Sequence, residues 1–135
     1  MKTLHILISA TLCLSACTST RSVYQLNGEW SVSTLNGQSI PAADNAPFLG
    51  FDTNDSRVYG FTGCNRLTGT LDAKAFMKGK ADFGQLGMTR MLCQDDKYER
   101  PFTEALGKVS TSEIEGNRMT LKDKDGNPLL ILTKK

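Results

Sequence analysis

Side chains capable of catalysis are scarce in this sequence. The only histidine, His5, lies within the first 16 residues, which resemble an export signal. The remaining chain therefore lacks the commonest general base and the usual activator of serine or cysteine nucleophiles, and it has no histidine to bind zinc or iron. A hydrolase that uses Cys64 as its nucleophile stays as an alternative. We expect no catalytic residue, no enzymatic activity and no cofactor.

The four cysteines fall into two groups. Cys13 and Cys17 belong to the amino-terminal region, whereas Cys64 and Cys93 lie in the body of the chain. An exported protein meets an oxidising compartment, so a Cys64–Cys93 disulfide is a natural hypothesis. It would close a loop of about 30 residues and stabilise the fold by about 3 kcal/mol. The alternative is two buried free thiols, and two cysteines alone cannot supply the four ligands of a structural zinc site.

The amino terminus has the features of a lipoprotein signal. Lys2 precedes an apolar run over residues 4–14, which is too short to span a bilayer. Leu14-Ser15-Ala16-Cys17 resembles the bacterial lipobox, which implies cleavage before Cys17 and its acylation. The alternative is a secreted protein cut nearby, with Cys17 unmodified. We expect a lipid anchor in the cell envelope, on the outer membrane and facing the periplasm, because Thr18 is not the aspartate that favours inner-membrane retention.

Length and charge fit one small domain. Removal of residues 1–16 leaves 135 minus 16, or 119 residues, and removes one of the 16 basic side chains, against 14 acidic ones. We divide the chain into a signal peptide (1–16), a lipidated tether (17–25) and a domain (26–135). The near-neutral charge predicts no nucleic-acid partner. The expected partners are the membrane, through the anchor, and an unidentified envelope protein or ligand.

Alternating and β-branched residues predict strands along most of the domain. The segments are 29–35, 38–40, 48–52, 57–61, 67–71, 113–115, 119–121 and 129–133. Asn36-Gly37 is a strong hairpin signal, and residues 76–83 predict two weaker extended pieces. The fold class is mainly β (α+β), an antiparallel β-barrel or curled sheet with one α-helix.

The one predicted helix spans about 98–108. Apolar residues at offsets of three and four form a stripe on it, and Pro101 then lies near its first turn. Asp95 or Asp96 is the expected N-terminal cap.

No metal site is predicted. Residues 123–127 are acidic, but position six of a calcium loop starting at Asp123 is Pro128 and position twelve is Lys134, where glycine and an acid are required. A polar hairpin turn explains this segment.

Two segments combine glycine with polar residues in a way that strands alone do not explain. Segment 60–69 holds three glycines, and its Asn65 is expected to tie a turn through its side chain. Segment 84–93 ends directly before the helix, and Arg90, if buried, would need an acid or carbonyl partner. We interpret both segments as a structural corner that seats the helix, with a binding role as the alternative.

These two segments resemble the META/HslJ family. Gly63-Cys64-Asn65 with Gly69 looks like its first motif, and Thr89-Arg90-Met91 with Cys93 looks like its second; Leu92 and Gln94 depart from the residues that are common there. The resemblance implies a β-rich domain with one helix, often secreted or lipid-anchored, in a family linked to heat shock, motility or antibiotic tolerance. It implies no defined molecular activity.

The predicted function is therefore a non-enzymatic, envelope-associated lipoprotein that acts as a stress-related binding or stabilising module. The alternative is a module that binds a small ligand or inhibits a proteinase, with residues 84–91 as its exposed loop.

Overall fold

The computed structural model describes residues 22–135. His5, Cys13, Cys17 and the predicted signal peptide therefore lie outside the described residues. So does most of the predicted tether, although residues Val23–Gln25 form a short 3-10 turn.

Nine strands and two helices follow this turn. The strands are β1 (Gly28–Leu35), β2 (Gln38–Ser39), β3 (Phe48–Asp52), β4 (Arg57–Phe61), β5 (Arg66–Thr70), β6 (Gly87–Met88), β7 (Thr111–Glu115), β8 (Arg118–Lys122) and β9 (Pro128–Lys134). The helices are α1 (Ala73–Met77) and α2 (Glu99–Lys108). The predicted strands β3 and β4 are confirmed at both ends, and the other six predicted strands are confirmed to within a few residues. Strand β6 was not predicted.

All strands belong to one antiparallel sheet in the order β6-β5-β4-β3-β1-β9-β8-β7, and β2 pairs with β1 as a hairpin. The predicted Asn36-Gly37 turn is confirmed, with φ of 50° and 82°. The sheet stays open, because β6 and β7 end the order without pairing with each other. The mainly β, curled-sheet prediction is thus confirmed and the closed barrel is wrong.

The barrel fails to close because another segment lies along β7. Lys80 forms an isolated antiparallel bridge with Thr111. The amide of Ser112 donates to the carbonyl of Gly79 at 3.0 Å, and the amide of Ala81 donates to the carbonyl of Ser110 at 3.0 Å. The free side of β7 is therefore occupied by residues 79–81.

Helix α2 confirms the predicted helix to within one residue, but its capping differs. Its N-cap is Tyr98, which makes no side-chain capping bond, so the expected capping by Asp95 or Asp96 is wrong. The acid in the first turn is Glu99, and Pro101 lies in that turn as expected. An acid at this position suits the positive end of the helix dipole.

Helix α1 replaces one of the extended pieces predicted for residues 76–83. The side chain of Asp72 caps it by accepting from the amide of Ala75 at 3.0 Å. Phe76 is buried between Phe51 and Phe83, with ring centroids at 5.3 and 6.0 Å. The helix forms because this cap is available and because Phe76 reaches the core from a single turn.

The core lies on one face of the sheet. Alternate strand residues such as Trp30, Leu49 and Leu132 are fully buried there, and Phe102 of α2 packs with them. The indole N–H of Trp30 donates to the carbonyl of Leu26 at 2.9 Å, so this large side chain is buried with its polar atom satisfied. The packed face fixes α2 against the sheet.

The predicted polar hairpin turn at residues 123–127 is confirmed. The Asp123 carboxylate accepts from the amides of Asn127 and Asp125, both at 2.9 Å, and from the side-chain amide of Asn127 at 3.1 Å. These donors favour the ionised form, so the backbone and then the side chain of Asn127 hold the pKa of Asp123 below its ordinary value of 3.8.

We expect this turn to weaken in acid. A lowered pKa in the folded state means that the stabilisation is fully present above the unfolded pKa and is lost as the pH falls through the folded pKa. Asn127→Ala removes the side-chain donor but keeps the backbone donor, so it should raise the pKa of Asp123 part of the way towards its ordinary value. Asp125→Ala removes no donor to Asp123 and takes away a like charge, so it should not raise this pKa. NMR titration of the Asp123 carboxyl measures both. An unchanged pKa in Asn127→Ala would contradict this account.

Candidate functional site

The corner between β4 and β5 is built by Thr62, Gly63, Cys64 and Asn65. The hydroxyl of Thr62 accepts from the amides of Cys64 and Asn65 at 3.2 and 2.8 Å, and the amide of Thr62 donates to the carbonyl of Asn65 at 2.9 Å. Gly63 has φ of 98°, and a Cβ there would lie 3.1 Å from the carbonyl oxygen of Asn45. Glycine is therefore required at this position.

The side-chain amide of Asn65 is the centre of the site. Its Oδ1 accepts from the amide of Met91 at 2.7 Å and from the hydroxyl of Thr89 at 2.9 Å. Its Nδ2 donates to the carboxylate of Glu99 at 2.7 Å and to the carbonyl of Met91 at 3.2 Å. Asn65 is only 3% exposed, so these bonds replace those it would make to water.

Glu99 joins helix α2 to this corner. Its Oε1 accepts from Asn65 and also from the hydroxyl of Thr62 at 3.1 Å. Because Glu99 is in the first turn of α2, the same contacts fix the start of the helix relative to the sheet.

A disulfide connects Cys64 with Cys93, with Cα atoms 5.8 Å apart, which confirms the predicted pair. It joins the same two segments as Asn65 does, two residues beyond Met91. The sulfur of Cys64 is therefore bonded and supplies no thiolate to a reaction in this state.

We name residues 88–92 the display loop. Hydrogen bonds hold this loop in place at every second residue. Thr89 and Met91 are bonded to Asn65, and the amide of Thr89 also donates to the carbonyl of Arg66 at 3.1 Å. The side chains of Met91 and Leu92 are nevertheless 54% and 103% exposed. The fixed backbone therefore presents two apolar side chains to solvent.

The structure thus brings together nearly all of the predicted site residues. Gly63, Cys64 and Asn65 meet Thr89, Met91 and Cys93. The remaining two residues of the motifs have other places. A Cβ on Gly69 would lie 2.6 Å from Cδ2 of Leu86, so this glycine makes room for Leu86. Arg90 is exposed, so the condition of burial under which an acid partner was expected does not arise.

Sequence reasoning missed Thr62 and Glu99. Thr62 is fully buried directly before the Gly63-Cys64-Asn65 motif, and a small hydroxyl residue there was the available signal. Glu99 is one of three acids near the start of the helix, and nothing in the sequence distinguishes it from Asp95 and Asp96 as the partner of Asn65.

Comparison with known families matches residues 24–135 to the model of the META domain. The chain belongs to the META domain family. No curated protein matches it. Among solved structures it is similar to a protein determined by NMR, with 21% sequence identity, a TM-score of 0.61 and coverage of 84% of this chain and 94% of the other. At this identity the likeness shows the fold alone.

The META domain also carries a half-open groove of about 690 Å³ on the other face of the sheet. Its wall includes Ile40, Ala46 and Phe48, with Ser31 and Lys135 at its polar side. The ammonium of Lys135 lies 4.4 Å from the centroid of the Phe48 ring and 3.0 Å from a carboxylate oxygen of Glu29. This groove is within the size range of small-molecule sites.

Across residues 22–135, no cluster of three or more cysteine, histidine or acidic residues has the arrangement of a metal site. None of the helices in the same range has both the length and the hydrophobicity to cross a bilayer.

We expect Asn65→Asp to destabilise the META domain in a pH-dependent way. The change removes the two hydrogen bonds that Asn65 donates and places a carboxylate against that of Glu99. We expect it to lower the free energy of unfolding by about 3 kcal/mol. The two carboxyls would share a proton at low pH, so the loss should be smaller near pH 4 than near pH 7. Denaturant unfolding at both values measures it.

The matched control is the double variant Asn65→Asp with Glu99→Gln. The amide of the new glutamine can donate to the new aspartate, so the double variant should recover most of the stability at neutral pH and lose the pH dependence. Equal stability of all three proteins would show that Asn65 and Glu99 do not hold the corner.

Proposed function

We propose that this protein is a non-enzymatic lipoprotein of the cell envelope whose META domain is a protein-binding module. The observation that carries the proposal is the display loop, in which a rigidly held backbone exposes Met91 and Leu92. Exposed apolar side chains on a rigid frame favour association, because little conformational entropy is lost on binding.

The internal bonding of the motif residues also argues against catalysis. The Cys64 sulfur is in the disulfide, the Glu99 carboxylate accepts two internal hydrogen bonds, and residues 22–135 contain no histidine. The side chains with catalytic potential at this site are thus engaged in holding the corner together.

The envelope location is supported by the lipobox at residues 14–17. Two or more acyl chains would hold the protein stably, since a single chain binds a membrane only marginally. The domain would then face the periplasm from the outer membrane, and a role in envelope stress agrees with the family to which the domain belongs.

Two alternative functions are each supported by a structural feature. The half-open groove beside Phe48 favours small-ligand binding. The disulfide-tied loop at residues 84–91 favours a proteinase inhibitor, which also needs a rigid exposed segment. Inhibition of a proteinase by the purified protein, lost on Met91→Asp, would favour the inhibitor over a general binding module.

We expect a photo-crosslinking residue in place of Arg90 to capture a reproducible envelope protein in intact cells. The same residue in place of Asp125, in the exposed β8–β9 turn, is the matched control and should not capture it. Adding Leu92→Asp should remove the product at position 90, since the apolar contact is lost. Identical products at positions 90 and 125 would contradict a binding role for the display loop.

The lipid anchor has its own test. Cys17→Ala should prevent acylation and cleavage by the lipoprotein pathway, and any form that is cut elsewhere in the signal should move from the membrane fraction to the soluble fraction. Cell fractionation and intact-mass measurement detect both changes, with Cys13→Ala as the matched control. A signal-cleaved Cys17→Ala protein that stays in the membrane fraction would refute the anchor.

A further inference from the structure

The two edges of the sheet differ in how far they are covered. At β7 the chain covers its own edge with residues 79–81. At the other end the last strand is β6, which pairs only with β5, through Leu67 with Met88 and Thr68 with Gly87. An open edge strand presents backbone donors and acceptors that can template another strand.

The backbone of Met88 is the exposed part of this edge. The amide of Thr89 donates to the carbonyl of Arg66, so residue 89 directs its polar groups towards β5. Residues alternate in an antiparallel ladder, and the N–H and C=O of Met88 therefore point away from β5. They are available to an added strand.

An apolar cleft of about 210 Å³ lies beside β6, between this end of the sheet and helix α2. Leu67, Leu86, Met88 and Leu106 contribute to its lining. A dry apolar cavity of about 150 Å³ accepts a benzene molecule, so this cleft can receive one leucine or aromatic side chain. Gly107 also borders it, and a Cβ on Gly107 would meet no atom within 4 Å.

The charged residues of strand β5 and segment 84–94 have one sign. Arg66 and Arg90 are both exposed, and neither strand β5 nor segment 84–94 contains an acidic residue. An acidic partner is thereby favoured. A second copy of this chain would bring the same arginines together in an edge-to-edge pair, which disfavours it.

We infer that the β6 edge binds an extended acidic segment of a partner protein as an added strand, with one apolar side chain of that segment in the cleft. This inference rests on the proposed protein-binding function and names its partner class. Backbone bonds to Met88 would supply affinity, while the cleft and the two arginines would supply specificity.

The probe is a synthetic peptide of about seven residues that is rich in valine and has a central leucine flanked by aspartates. It is titrated against the full chain in detergent, and amide exchange is followed at Met88. Binding should slow exchange of the Met88 amide. Met88→Pro removes that amide and should weaken binding by about tenfold or more. Lys124→Pro, which adds a proline in the exposed β8–β9 turn away from this edge, is the matched control and should bind within about threefold of the wild type.

Two further variants test the cleft and the charges. Gly107→Leu adds a side chain at a position with no neighbouring atom, so the domain should fold, but the filled cleft should weaken binding about tenfold. Arg66→Glu with Arg90→Glu should also weaken binding about tenfold, and a peptide with lysines in place of the aspartates should restore it.

The outcomes separate this inference from the proposed function. Absence of peptide binding, or equal binding by Met88→Pro and Lys124→Pro, overturns the β6 inference. If the crosslink at position 90 persists in such a case, the binding module stands and its partner docks elsewhere. If the crosslink at position 90 is lost as well, both the β6 inference and the proposed binding function are contradicted. A product made of two copies of this chain, abolished by Met88→Pro, would replace the acidic partner with self-association.

Discussion

The hydrogen bonds of one buried side-chain amide organise the corner of this domain. Asn65 has one acceptor atom and two donor hydrogens, and it connects three separate parts of the chain: its own turn, the display loop and the start of helix α2. A buried polar group that is fully bonded specifies a unique arrangement, because any other arrangement leaves donors or acceptors unpaired. The disulfide then joins two of the same parts covalently.

These hydrogen bonds explain why the two motifs contain these residue types. Gly63 is needed for the turn, Asn65 for its two kinds of hydrogen-bonding group, and Thr89 for a hydroxyl that both donates to Asn65 and accepts from the amide of Arg66 at 3.0 Å. Within the second motif, Arg90 has no such role, and its side chain stays exposed. The motif residues are therefore mainly those that hold the display loop in place.

Much of this could be predicted from the sequence, because the patterns involved are local. The alternation of apolar residues predicted both ends of β3 and β4, Asn36-Gly37 predicted the first hairpin, and the apolar stripe predicted α2.

The features that the sequence did not predict depend on contacts between distant segments of the chain. Helix α1 is too short for periodicity to show and depends on Phe76 reaching Phe51 and Phe83. The partner of Asn65 was one of three nearby acids, and only the packed orientation of α2 selects Glu99. Likewise, an open sheet and a barrel share the same strand patterns, and the difference lies in residues 79–81 along β7.

The coverage of β7 has a consequence for assembly. A β-sheet protein with two open edges can extend indefinitely, since each added molecule offers a fresh edge to the next. Here the edge at β7 is already occupied by residues 79–81, which leaves each molecule able to accept a strand on one side only. Edge-to-edge pairing through the sheet therefore stops at two molecules and cannot continue into a fibre.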